Sequence, residues 1–280
     1  MTMTTEIRQA VHPQMACGLD SDGLRQHFLM ERLFAGGEIR LTYSHADRLI
    51  IGGIAPEGTA LELQAPKAVG QPTFFARREG GVINIGGPGR VRLDGTDHDL
   101  HGQAALYIGA TTASARFESL DPADPALFYL LSAPAHSALP SQLIGADRAN
   151  RLELGDAATS NRRTILQFLH PDVIETCQLT RGVTRLHPGS VWNTMPTHTH
   201  DRRCEAYLYF DLPQDQRVFH LMGEPDQTRH IVVANRQAVL SPGWSIHSGA
   251  GTSAYSFIWG MAGDNTDFTD MDHLRIEELR

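Results

Sequence analysis

His198 and His200 are separated by one residue in THTHDRRCEAYLYF. On a strand, side chains at i and i+2 share a face, so both imidazoles point the same way and can grip one ion. After the polar break Asp201-Arg202-Arg203, Glu205 opens the apolar segment EAYLYF, where alternation sets Glu205, Tyr207 and Tyr209 on one face. Downstream, SPGWSIHSG brings His247 just past a Pro-Gly turn. Three imidazoles and one carboxylate suit zinc, ferrous iron, manganese or nickel, and leave room for water or substrate. In a chain with 14 histidines an H-x-H arises readily by chance. The strand-opening glutamate and the turn-borne histidine make this one specific.

The surrounding texture is that of a β protein. From Glu38 onward, short apolar or alternating runs such as TFFARR, GVINIGG and ALFYLLSA are separated by Gly, Pro and Asp-Gly punctuation, the spacing of a sandwich or barrel. Asp94-Gly95, between RVRL and TDHDL, marks a two-residue hairpin. Residues Asp20 to Phe34 place Leu24, Phe28, Leu29, Leu33 and Phe34 at helical spacing behind an Asp20 or Ser21 cap. The stretch from Pro134 to Arg163 carries little strand pattern and reads as a linker, and the tail from Asp267 reads as a short helix. The halves on either side of the linker share an order of strand, hairpin, strand, Gly turn, strand, as two copies of one barrel would. The expected fold is therefore all-β, two barrels with a few short peripheral helices. Residues 1–150 would form a barrel without metal that carries the early helix, and 151–280 the barrel with the metal site.

Composition limits the function classes. With 24 Lys plus Arg against 32 Asp plus Glu, the net charge of -8 disfavours nucleic acid as a partner, because counterion release needs a concentrated basic face. No run approaches the roughly 20 apolar residues of a membrane span. Cys17, Cys177 and Cys204 are odd in number and far apart, so no disulfide framework is expected and a cytoplasmic location is the default.

The order HxH-x4-E followed by PG-x3-H is similar to the paired motifs of the cupin superfamily. Two departures concern local turn geometry: Gly243 directly follows Pro242, and no Asn follows His247 at the usual place. Longer strings, among them YSHADRLIIGGI, RREGGVINIGG, WNTMPTHTHDRR, FHLMGEP, SPGWSIHSG and FTDMDHLRIEELR, resemble the 5-keto-4-deoxyuronate isomerase family over nearly the whole chain. The resemblance implies two cupin-type barrels, one zinc ion per chain in the second barrel and a homohexamer. It also implies an aldose-ketose isomerase of pectin and uronate breakdown, interconverting 5-dehydro-4-deoxy-D-glucuronate and 3-deoxy-D-glycero-2,5-hexodiulosonate. Its metal ligands fall on His198, His200, Glu205 and His247.

Such a reaction needs groups to move protons and a partner for the substrate carboxylate. Tyr207, on the face of Glu205, and His230, in TRHIVV, are the candidates for proton transfer. Arg163 and Arg229 are the candidates for the carboxylate, since a guanidinium fork matches it. Arg202 and Arg203 lie beside the ligand strands, where a solvated or inter-subunit role is as reasonable. Spacing alone also fits an iron-dependent cupin dioxygenase or a sugar-binding cupin without turnover.

Overall fold

Asp94 and Gly95 both hold positive φ, 47° and 88°, the conformation a two-residue hairpin needs, and they join strand Gly89–Leu93 to Thr96–Leu100 in the expected register, Leu93 opposite Thr96. The computed structural model describes residues 2–102 and 104–280. Among these the chain folds into two units, each built from a seven-stranded and a four-stranded sheet.

In the first unit the larger sheet runs Thr2–Arg8, Glu38–Ser44, Ile50–Ala55, Phe128–Pro134, Arg78–Asn84, Ala104–Ile108, Gln142–Gly145, edge to edge. The smaller runs Leu61–Glu62, Ala115–Ser119, Gly89–Leu93, Thr96–Leu100. One apolar cluster draws on both sheets, with Ile39, Val82 and Leu130 from the first and Val91 and Phe117 from the second. The second unit repeats the plan: Asn150–Leu154, Arg163–Leu169, Thr180–Leu186, Ser256–Gly263, Arg203–Phe210, Ala238–Ser241, Leu29–Met30, then Trp192–Asn193, Ser248–Gly251, Val218–Met222, Arg229–Val233. Its core is richer in aromatic rings, including Tyr209, Tyr255, Phe257 and Trp259. A strand pair without counterpart among the described residues of the first unit, His198–Thr199 with Asp272–His273, completes it.

Three expectations are corrected. The helix is capped as expected, Asp20 Oδ1 accepting from the Gly23 amide at 2.8 Å, but spans only Ser21–Phe28. Leu29 and Met30 then adopt extended backbone and pair with Val239 and Ala238, and both side chains are buried there. Second, the expected cut near residue 150 is crossed twice: residues 9–31, helix included, belong to the second unit, and residues 168–180 to the first. The apolar face of the helix is completed by that unit's core, where Leu24 and Phe28 are buried. Third, 134–163 is no open linker, since it supplies strands Gln142–Gly145 and Asn150–Leu154. Strands of four and five residues give too short a pattern to read by periodicity.

Gly182 shows how tightly the second barrel is closed. A Cβ there would lie 2.3 Å from the Trp259 ring and 2.6 Å from the Leu166 carbonyl oxygen. Gly182→Ala is expected to cost about 1–3 kcal/mol through overpacking, read as a lowered thermal midpoint. An unchanged midpoint would mean that the ring has space to shift.

Candidate metal centre

His198 lies on the short strand that pairs with Asp272–His273, and His200 stands just past it, their rings 5.5 Å apart. Glu205 is the third residue of Arg203–Phe210, and His247 ends the turn that follows Ala238–Ser241. The displaced glycine of that turn has a physical reason. A Cβ on Gly243 would sit 2.9 Å from the His200 carbonyl oxygen and 3.1 Å from the Asp201 Cα, so only glycine lets the turn press against the His200 backbone.

The four side chains converge. His247 Nε2 lies 2.9 Å from His198 Nε2 and 3.1 Å from Glu205 Oε2, and His200 Nε2 lies 3.2 Å from the same oxygen. One ligand atom from each of the four falls within 4.8 Å of the others, and all four residues are buried. His200 Nδ1 is 2.9 Å from the Arg203 carbonyl oxygen and His247 Nδ1 is 3.3 Å from that of Ser245. A carbonyl only accepts, so Nδ1 carries a proton in both rings and Nε2 of each is the atom that faces Glu205. Three imidazole nitrogens and a carboxylate oxygen converging in one buried place are the donors that a divalent cation takes. The donor set and its spacing therefore fit such an ion.

Burial, and after it the neighbouring imidazoles, holds His247 well below the ordinary histidine value and His198 at about 3, so both stay neutral and able to donate lone pairs. Burial depresses His200 as well, but the hydrogen bond and charge of Glu205 outweigh it and leave that ring above its ordinary value.

A cavity of about 570 Å³ opens onto His198 and Glu205. Its other polar groups are Arg163, Thr184, Thr194, Tyr207 and His273, and the remaining wall is largely apolar. Tyr207 is buried with its ring 5.6 Å from that of His247, and burial, then the Glu205 carboxylate, pushes its hydroxyl well above the ordinary value. The hydroxyl therefore keeps its proton at neutral pH. Arg163 is the one arginine or lysine among the described lining residues, and its Nη1 donates to the Asn161 carbonyl at 2.9 Å.

Two expected site residues lie elsewhere. His230 is exposed, 6.0 Å from the Phe219 ring, because Ile231 and Val233 take the inward positions of Arg229–Val233 and alternation turns His230 outward. Arg229 donates to the Cys17 carbonyl oxygen and to that of Thr228, the latter at 3.1 Å, a tie between segments. His273, which sequence reasoning misses, lines the cavity with its ring 5.9 Å from that of His198. The i, i+2 spacing of Met271 and His273 in DMDHL is a signal, but too short to override a helical reading of the tail.

The first unit explains itself at the matching place. In Arg78–Asn84 and Arg203–Phe210 the first residue, Arg78 or Arg203, begins the pairing with one neighbouring strand, and the third, Gly80 or Glu205, begins it with the other. Gly80 thus stands where Glu205 stands, and a Cβ on it would lie 2.7 Å from the Phe75 ring. The apolar core occupies that place.

Two double-sheet barrels, one holding a three-histidine, one-glutamate cluster, define a two-barrel cupin with a candidate metal centre. The chain belongs to the KduI/IolB family, whose profile matches residues 28–276. It is 51% identical over 277 residues to a 4-deoxy-L-threo-5-hexosulose-uronate ketol-isomerase of Yersinia pestis (strain Pestoides F), covering 98% of this chain and all of the relative. The protein of the same name from Burkholderia cenocepacia is 54% identical over the same length and coverage. Among solved structures, an IolB-like protein from Salmonella typhimurium superposes with a TM-score of 0.67 at 18% identity, covering 81% of this chain and 87% of that one. Oxalate decarboxylase from Bacillus subtilis gives 0.53 at 11% identity, covering 78% and 69%. These two likenesses concern the fold.

Proposed function

We propose that this chain is a metal-dependent ketol-isomerase that interconverts 5-dehydro-4-deoxy-D-glucuronate and 3-deoxy-D-glycero-2,5-hexodiulosonate in uronate and pectin breakdown. The observation that carries the reading is the coincidence of full-length relatives bearing the ketol-isomerase name with a buried His198, His200, Glu205 and His247 cluster opening onto a cavity.

The reaction turns an aldehyde beside a hydroxyl-bearing carbon into a ketone beside a primary alcohol, by moving one proton between adjacent carbons and one between their oxygens. A divalent ion, zinc in this proposal, supplies Lewis acidity that stabilises the negative charge developing on the substrate oxygens. His198 and His247, kept neutral by burial, would hold it through their nitrogens, His200 would give up its Nε2 proton to do the same, and Glu205 would supply the negative charge. Tyr207 keeps its proton at neutral pH and holds it toward a substrate oxygen. Arg163 receives the substrate carboxylate, and the apolar wall around it limits competing water. A cytoplasmic, homohexameric enzyme is part of the same proposal, resting on the family resemblance.

The test is turnover of freshly prepared 5-dehydro-4-deoxy-D-glucuronate by zinc-loaded protein, followed by nuclear magnetic resonance beside an oxygen electrode. Appearance of the 2,5-diketo acid without oxygen uptake supports the isomerase. Oxygen consumption with no ketol product would favour a dioxygenase built on the same ligands.

A further inference from the structure

Four residues that line the cavity, Phe268, Met271, His273 and Leu274, come from one segment, 264–274, that has little regular structure of its own. Its strand Asp272–His273 is two residues long and exposed, and pairs only with His198–Thr199 among the described residues. What fixes it is concentrated in the two arginines between His200 and Glu205. Arg202 Nη2 lies 2.6 Å from Asp270 Oδ1 and 3.0 Å from Asp272 Oδ2. Arg203, fully buried, donates from Nη1 to the Asp267 carbonyl oxygen at 2.6 Å and from Nη2 to that of Asp270 at 2.7 Å. Asn265 Nδ2 adds a bond to Asp270 Oδ2 at 2.7 Å, and the Leu274 amide donates to the Thr197 carbonyl at 3.2 Å. Apolar anchoring is slight, chiefly Phe268 against Trp259 at 5.4 Å between rings.

We propose that Arg202 and Asp270 are a positioning pair that holds segment 264–274 as one wall of the cavity, and that this wall sets the apparent affinity for the uronate substrate while leaving His200, Glu205 and His247 in place. The proposal rests on the isomerase reading for its substrate. The arrangement separates two roles carried by one short stretch: His200 and Glu205 face the ion, while Arg202 and Arg203 between them face the segment. Loosening the segment removes a wall while His200, Glu205 and His247, which do not pair with it, keep their places. Such a change weakens ground-state and transition-state binding alike, which raises KM and spares kcat.

The variants are Asp270→Ala and the conservative Asp270→Glu, each loaded with zinc. Hydrogen exchange, zinc content and steady-state kinetics on 5-dehydro-4-deoxy-D-glucuronate are measured on the same samples. Asp270→Ala is expected to speed amide exchange in 264–274 but not in 203–210, to keep its zinc, and to raise KM about fivefold with kcat within about twofold, the scale of a partly exposed ion pair. Asp270→Glu should recover most of the loss. Unchanged exchange in Asp270→Ala would show that the pair does not hold the segment, and faster exchange with unchanged KM would show that the segment sets no affinity; either overturns the proposal. Failure of the zinc-loaded parent protein to turn over the substrate would refute the isomerase reading and the affinity claim with it. The exchange result would then judge the positioning pair alone.

Discussion

Glu205→Gln is expected to lower turnover roughly a thousandfold and to strip the bound metal, with circular dichroism and the thermal transition of the first barrel retained. Glutamine keeps the shape of glutamate but removes the one negative charge in the cluster, so three neutral imidazoles would hold the ion without charge compensation. Those imidazoles are already arranged as ligands. Carbonyls of Arg203 and Ser245 fix the tautomers of His200 and His247, and burial keeps His198 and His247 neutral. The change also removes the partner that raises His200. Metal analysis of the purified variant beside its kinetics makes the check. Full activity with bound metal would show that Glu205 is not a ligand, and loss of activity with full metal content would shift its role to proton transfer.

Arg163→Met should raise KM for the uronate about tenfold to a hundredfold while kcat falls less, because the lost contact is a charge-assisted pair made in ground and transition states alike. Arg163 is the one arginine or lysine among the described lining residues, and its bond to the Asn161 carbonyl aims the guanidinium. Burial lowers its proton affinity, a cost that an incoming carboxylate would offset. Arg163→Lys should recover only part of the affinity, since an ammonium cannot form the two parallel bonds of a guanidinium. Steady-state kinetics on the three proteins decides it: equal KM values would move the carboxylate elsewhere in the cavity.

The four-residue cluster is readable in the sequence because strand alternation and turn chemistry are local rules. Period two places His198 and His200 together and turns Glu205 and Tyr207 the same way, and a Pro-Gly turn delivers His247. The same rule, applied to TRHIVV without knowing which face is inward, cannot tell His230 from its neighbours; Ile231 and Val233 decide it by being buried. What stays hidden is non-local. Nothing near Leu29 and Met30 announces a partner strand at Ala238–Ser241, more than 200 residues away, and so local patterning runs the helix too long and gives it to the wrong barrel. His273 escapes for the same reason, since its place depends on bonds from Arg202 and Arg203 to a segment 68 and 67 residues downstream.

A metal-dependent isomerase stands or falls on conversion of 5-dehydro-4-deoxy-D-glucuronate by the purified protein, measured before chelation, after complete chelation, and after stoichiometric zinc is restored. Turnover should vanish with the metal and return with about one ion per chain. Undiminished turnover by fully chelated protein would contradict a metal-dependent reaction at His198, His200, Glu205 and His247.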